Sequence, residues 1–242
     1  MQEQFIRTSF MFGDSAMEVL ENSHVAVFGV GGVGGYVCEA LARAGVGSFT
    51  LIDKDDVSVS NINRQIIATL DTIGMKKVDV MKDRILSINR NAKVEVVKCF
   101  FLPENQDEFD FSKFDYVIDA VDTVTAKICL VMKAKRENVK IISSMGTGNK
   151  LNPMAFKVAD IFKTKMDPLA KVMRKELKAR GVDSLKVIYS EEEPKKPLKN
   201  INELKDINLS LRKDTPASNS FVPPAAGLLI ASEVIKDLIN VQ

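Results

Sequence analysis

The 242-residue chain has no tryptophan, one histidine (His24) and three cysteines. Cys38, Cys99 and Cys129 lie far apart and form no CxxC pair. A structural zinc site takes about four Cys or His ligands, so none is expected. The single histidine opens a predicted buried strand, which argues against a Cys–His nucleophile pair. Long apolar runs are also missing: the run over residues 225–231 falls far short of the roughly 20 residues that cross a bilayer. Residues 1–8 are polar apart from Phe5 and Ile6 and lead into no apolar stretch, so no secretory leader is expected and a cytoplasmic location is the default. Net charge is small, +2 from 34 basic and 32 acidic residues. Its distribution is uneven. Between Lys163 and Arg180 stand Lys163, Lys165, Lys171, Arg174, Lys175, Lys178 and Arg180 against only Asp167 and Glu176. Such a patch suits a polyanion, and equally a solvated helix face.

What is present is a regular alternation. Residues 24–29 (HVAVFG), 48–53 (SFTLID), 92–97, 114–120 and 139–144 are short, apolar and β-branched or aromatic, as strands are. Between them, residues 34–44, 74–89 and 122–136 carry apolar side chains at helical spacing; Val78, Met81, Ile85 and Ile88 are one such row. Alternating strands and helices predict an α/β fold: a doubly wound, Rossmann-like, mostly parallel sheet with helices on both faces. Beyond Gly148, strands over 156–161 and 185–190 flank a basic helix over 168–179, which predicts hairpin-like antiparallel additions to the sheet. Residues 191–214 are polar, hold Pro194 and Pro197, and are expected to form a mobile loop. A final apolar helix is predicted over 225–239, packing on the sheet or on a second subunit. The expected organisation is one domain over 1–242. Its nucleotide-binding core spans 1–150, and its extension over 151–242 faces substrate.

Gly29, Gly31 and Gly34 spell GxGxxG between the first strand and the first helix of this alternation. Glycine allows a tight turn and close backbone approach, and the helix amides attract a phosphate. Asp53 closes the second strand, where an acid hydrogen-bonds the ribose of NAD or ATP alike. The residues after it favour a triphosphate. Arg64 in the run NINRQ, with Asn61 and Gln65, and Lys77 beyond it place two cations near the turn, suited to charge growing on a leaving pyrophosphate. Asp119 and Asp122, in DAVD, stand at the end of another strand, where a carboxylate suits Mg²⁺ bridging phosphates; Asp122 alternatively caps the next helix.

Together, GVGGVGGY, LIDKDDVSVSNINRQ, GMKK and DAVD closely resemble the ubiquitin-activating-enzyme-like (ThiF/MoeB-type) adenylyltransferases, over about residues 7–148. The resemblance implies attack of a carboxylate on ATP, giving an acyl-adenylate and pyrophosphate. By position it implies Gly31 and Gly32 at the phosphates, Asp53 on the ribose, and Asp55 near metal and substrate. It further implies Asn61, Arg64 and Lys77 on the phosphates and Asp122 on Mg²⁺. Arg7, in IRTSFMFG, matches an N-terminal arginine that reaches the ATP of the neighbouring subunit, which implies a homodimer.

No cysteine follows Cys129, whose spacing from Ala126, Leu130 and Met132 reads as core, so a thioester relay is not expected. The second half instead is similar to the tRNA threonylcarbamoyladenosine dehydratase branch, on residues 159–194 and 220–238. That similarity implies activation of the threonine carboxylate of the modified adenosine beside the anticodon, followed by closure of the neighbouring carbamoyl group. It gives Lys163, Lys165, Arg174, Lys175, Lys178 and Arg180 a role at tRNA phosphates. Where some members of the branch carry a C-terminal cysteine, this chain has Ser218 and Ser220 in PASNSF. Two other functions stay open: adenylation of a ubiquitin-like sulfur-carrier protein, and an NAD-binding redox or sensing module. No motif identifies a sulfur-transfer partner.

Overall fold

The computed structural model describes residues 2–199 and 215–241. Its chain order is α1 (Ile6–Phe12), α2 (Asp14–Asn22), β1 (His24–Phe28), α3 (Gly34–Ala44), β2 (Ser48–Ile52), α4 (Lys77–Ile88) and β3 (Lys93–Val97). There follow β4 (Tyr116–Asp119), α5 (Val124–Arg136), β5 (Lys140–Ser144), β6 (Phe156–Asp160), α6 (Pro168–Ala179), β7 (Lys186–Ser190) and α7 (Val222–Ile239). The seven strands form one sheet in the order β3-β2-β1-β4-β5-β7-β6. All neighbours run parallel except β6, which pairs antiparallel with β7 across the intervening α6. Leaving β1, the chain builds outward through β2 and β3, then returns to place β4 on the other flank. The carboxyl ends of β1 and β4 therefore bound a crevice at the point where strand order reverses, the place where open α/β sheets take ligands.

Side-chain alternation along β1 explains why both faces of the sheet are covered. Val25 and Val27 join the core beneath α3, α4 and α7, with Leu41, Leu51, Met81, Ile118 and Ile230. Ala26 and Phe28 face the opposite side with Val117, Leu130, Met173, Leu177 and Val187, under α5 and α6. On that second side Phe28 meets Phe101 edge-on at 5.0 Å, and Phe101 meets Phe109 at 5.2 Å, a packing that suits the aromatic quadrupole. Cys129 lies in this core, as its spacing implied. No helix among the described residues is long and apolar enough to cross a membrane.

The departures from the sequence expectation are local and each has a cause. The helix expected from residue 74 begins at Lys77, because Gly74 lies at φ +82° and Lys76 forms a bridge with Asp56. The helix expected from residue 122 begins at Val124, leaving Asp122 and Thr123 outside it. The last helix starts early, at Val222, since Pro223 and Pro224 fit a first turn that needs no amide donors. Helices α1 and α2 were not anticipated: α2 has nine residues and buries only Met17 and Leu20, too short a row to register as periodic. Of the loop expected over 191–214, residues 200–214 lie outside the described residues.

Candidate nucleotide-binding crevice

The turn after β1 can be built only from glycine at two positions. Gly29 lies at φ +89°, and a Cβ there would stand 2.7 Å from the Ala120 carbonyl oxygen. A Cβ on Gly34 would stand 1.8 Å from the Gly29 carbonyl oxygen, so α3 could not begin so close to the strand. Gly31 and Gly32, between them, line a crevice of about 570 Å³. Among the described residues no side chain caps α3. The Gly35 and Tyr36 N–H groups bond back to the Gly31 and Val33 carbonyls, and the positive end of the helix dipole faces the turn, where it favours an anion. Pro223, at the start of α7, roofs this turn within 3.2 Å of where a Gly32 Cβ would sit.

Asp53 follows β2 into the same crevice, and backbone amides orient it. Its Oδ2 accepts the Val30 N–H at 2.8 Å and its Oδ1 the Asp55 N–H at 2.9 Å. Each oxygen keeps a lone pair for a hydroxyl donor. Lys77, the first residue of α4, is buried and donates to Asp55 Oδ2 at 2.9 Å. Asp55 itself remains half exposed. Asn61 is buried and accepts the Ser58 N–H at 3.1 Å. Arg64 Nη1 donates to the Ser60 carbonyl at 2.9 Å and to Asn63 Oδ1 at 2.8 Å, and burial lowers its pKa. Gln65 is buried too, and its Oε1 has no hydrogen-bond partner among the described residues. A buried acceptor left open inside a crevice calls for a donor from whatever binds there.

The two aspartates of DAVD separate in role. Asp119, the last residue of β4, is fully buried and ion-paired with Lys127, whose Nζ lies 3.0 Å from both carboxylate oxygens. Its charge is spent inside the protein. Asp122 is exposed in the crevice wall, and among the described residues its carboxylate has one hydrogen bond, from the Thr123 hydroxyl at 3.2 Å. The N-cap of α5 is Thr123, with no side-chain cap, so Asp122 does not cap the helix. Its carboxylate stays available to a cation. Phe28, Ile52, Phe101, Val121 and Ala126 form an apolar wall of a kind that takes a purine, and Lys54 sits 3.6 Å above the Phe100 ring at the rim.

The second half of the chain closes the crevice through Thr147 and Ser218. Ser218 is held there by its carbonyl, which accepts from Asn63 Nδ2 at 3.1 Å; Ser220 is exposed and does not line the crevice. Cys99 also lines it, and burial raises its pKa away from the reactive thiolate. Thr147, Phe28, Phe101, Pro223 and Lys127 escaped the sequence reading, since no spacing links them to the glycine turn. His24 stands at the other end of β1, hydrogen-bonded to Thr50 Oγ1 at 2.9 Å, and burial lowers its pKa. A larger hollow of about 690 Å³ lies at that amino end, between α2 and β3; Asp14, Glu18 and Glu21 line it, carboxylates that disfavour an anion there.

Other expected residues stand apart from the crevice. Arg7 is exposed on α1 and does not line it. Lys163, Lys165, Lys175 and Lys178 are exposed on and before α6. Arg174 is half-buried, its guanidinium donating to the Thr164 carbonyl at 3.0 Å and to the Thr164 hydroxyl. Arg180 pairs with Glu176 at 2.7 Å. Asp167 caps α6 by accepting the Ala170 N–H at 2.9 Å, and Lys150 binds its other oxygen at 2.9 Å.

A glycine turn, an anchored acid and a ring of cations at a switch point are found among many nucleotide-binding proteins. The decision comes from the whole chain, because the ThiF family model matches residues 3–242. The chain belongs to the ThiF family. Among its relatives, tRNA threonylcarbamoyladenosine dehydratase of Bacillus subtilis is 44% identical over 99% of this chain and 96% of that protein. The Escherichia coli protein of the same name is 40% identical over 74% of this chain and 66% of that one. The crystal structure of the E. coli dehydratase in complex with ATP superposes with a TM-score of 0.88, at 33% identity, covering 98% of this chain and 94% of that one.

Proposed function

We propose that this ThiF-family chain is the ATP-dependent dehydratase of N6-threonylcarbamoyladenosine next to the tRNA anticodon. The observation that carries the reading is the crevice itself: the uncapped start of α3, Asp53, Arg64, Lys77 and Asp122 face one space beside an apolar wall. Relatives that share most of this chain bear that activity in their names, and one was solved with ATP bound.

Reasoned from these residues, the purine rests against Val121 and the apolar wall behind it, the ribose on Asp53, and the phosphates on the amides of Gly31 and Gly32. An oxygen of the threonine carboxylate attacks the α-phosphorus, and the bond to the β-phosphate breaks. Pyrophosphate leaves with the electron pair, while Arg64 and Lys77 meet the charge that develops on it. Magnesium fits the donor set, because it keeps several waters and asks for only one or two carboxylates beside phosphate oxygens. Asp122 offers that carboxylate; Asp119 does not. Bound there, the ion would neutralise phosphate charge. The neighbouring carbamoyl group then closes on the acyl carbon and expels AMP, for a net loss of one water. Because that nucleophile belongs to the same nucleoside, no protein cysteine is needed, and held geometry supplies a very high effective concentration.

On the same reading, Lys163, Lys165, Lys175 and Lys178 meet tRNA phosphates and set position without reading sequence. Arg174 and Arg180 reach them only by giving up contacts inside the protein. Arg7 acts from a second copy, making the working form a homodimer in the cytoplasm, with residues 1–150 and 151–242 serving one site.

The test is incubation with ATP, Mg²⁺ and tRNA carrying threonylcarbamoyladenosine, followed by mass spectrometry of the nucleosides. Loss of one water is expected, and Arg64→Ala and Asp122→Ala should abolish it. No mass change, or an equal change without ATP, refutes the proposal. Tight NADH binding in a fluorescence titration would revive the dinucleotide alternative.

A further inference from the structure

Asp119, Lys127 and Ser143 lie next to the crevice, and none of the three is reached by solvent. Lys127 Nζ holds both oxygens of Asp119 at 3.0 Å and reaches Ser143 Oγ at 3.3 Å, and the Ser143 hydroxyl donates to Asp119 Oδ2. Burying such a pair costs desolvation, so stability alone is a weak reason for it. Its position supplies another. Asp119 Oδ1 accepts the Val121 N–H at 3.3 Å, and the Lys127 N–H donates to the Thr123 carbonyl at 3.0 Å. That last bond is the ordinary first turn of α5. What the ion pair adds is a tie between α5, which follows residues 120–123, and the end of β4, which precedes them, and Ser143 ties the pair to β5. Asp122 sits in the middle of the turn over 120–123, its carboxylate holding a single hydrogen bond among the described residues, from its neighbour Thr123. Its placement is set by the backbone, and the backbone is set by Lys127 and Asp119.

We propose that Lys127 is a positioning residue for Asp122. By fixing the Asp119 carboxylate it holds the turn so that the Asp122 carboxylate faces the phosphate side of the crevice. The inference rests on the assignment of Asp122 to magnesium-bound phosphates made above. Lys127 touches neither nucleotide nor metal on this view, and its effect passes through the turn.

The experiment compares the full chain with Asp122→Ala, Lys127→Arg, Ser143→Ala and the double variant Asp119→Asn/Lys127→Met, which removes both buried charges together. ATP affinity is titrated in EDTA and then against Mg²⁺, without turnover. The double variant should melt cooperatively, bind ATP in EDTA as the parent does, and need about 10-fold or more Mg²⁺ to reach half of the magnesium-dependent gain. Lys127→Arg, which keeps the charge, should stay near the parent. A folded double variant with the parent's Mg²⁺ midpoint overturns the proposal. So does a loss of ATP affinity in EDTA as large as the loss with Mg²⁺, which marks plain structural damage. Should the double variant fail to fold, Ser143→Ala removes one anchor and no charge, and an unmoved midpoint there overturns the proposal as well. An unmoved midpoint in Asp122→Ala sinks the metal assignment and this proposal together. A shift in Asp122→Ala alone overturns the role of Lys127 and leaves the assignment standing.

Discussion

Replacing Lys77 by methionine should remove activity while leaving the fold intact, whereas Lys127→Met should damage the fold first. The two ammonium groups stand at almost the same distance from an aspartate, 2.9 Å for Lys77–Asp55 and 3.0 Å for Lys127–Asp119. Their partners differ. Asp55 is 50% exposed at its side chain, so on losing Lys77 it simply takes up water. The net worth of a pair with one solvated partner is about 0–1 kcal/mol. Asp119 is 0% exposed, and without Lys127 an uncompensated charge stays in the core, a loss of about 3–5 kcal/mol. In a chain of this size, about 2–4 °C of melting temperature follows each kcal/mol. Lys77→Met should therefore melt within about 4 °C of the parent, and Lys127→Met about 6–20 °C lower. Activity should invert the order of surprise. On the proposed function Lys77 faces the phosphates from a buried site where its field is little screened, and losing one such group costs about 10²–10³ in kcat. The assay is pyrophosphate release in the presence of modified tRNA, beside thermal melting of the same samples. If Lys77→Met destabilises the chain as much as Lys127→Met, partner burial is not what sets the energy. If it melts normally and keeps full activity, Lys77 does not face the reacting phosphates.

Gly34→Ala places a methyl 1.8 Å from the Gly29 carbonyl oxygen, so it should cost about 1–3 kcal/mol or more and abolish ATP binding in a titration. Lys175→Glu with Lys178→Glu should weaken tRNA binding and reduce the log–log salt slope by about 1.4–1.8, with ATP affinity unchanged; an unaltered slope in filter binding removes α6 from the tRNA surface. Mixing Arg7→Ala and Arg64→Ala protomers should restore about a quarter of parent activity if Arg7 serves the other subunit's site, and none if it acts within its own chain. Asp237 gives a pH signature: burial raises its pKa, but hydrogen bonds from Lys186 and Tyr116 outweigh that and lower it overall. A depressed carboxylate adds stability above its unfolded pKa of 3.8 and loses it as pH falls through the lower folded value. The gap in urea midpoint between the parent and Asp237→Asn should hold near neutrality and narrow below pH 3.8; a gap independent of pH refutes the assignment.

Much of the crevice was legible because its chemistry is local in the chain. The glycine turn, Asp53 and the run from Asn61 to Gln65 lie within 40 residues of one another and follow strand ends that apolar alternation reveals. Residues that meet only through the fold left no such trace. Thr147 and Ser218 close the crevice from the distant half of the chain, and Phe101, in the loop beyond β3, meets Phe28 at the end of β1 although β2 lies between those strands. The basic segment reads as seven equal cations, yet Arg174 is committed to Thr164 and Arg180 to Glu176. Composition counts charges and does not say which of them are already paired.

The order of elements, the glycine turn and the family were written in the sequence, because backbone geometry and side-chain period act over a few residues. Which of two aspartates, three residues apart, keeps its charge for solvent was not. Asp119 is neutralised by Lys127 from the next helix and hydrogen-bonded by Ser143 from the next strand, while Asp122 is left in the open. Only the packed structure decides that, since a carboxylate's availability depends on what surrounds it in space, and the chain brings those groups together from separate elements.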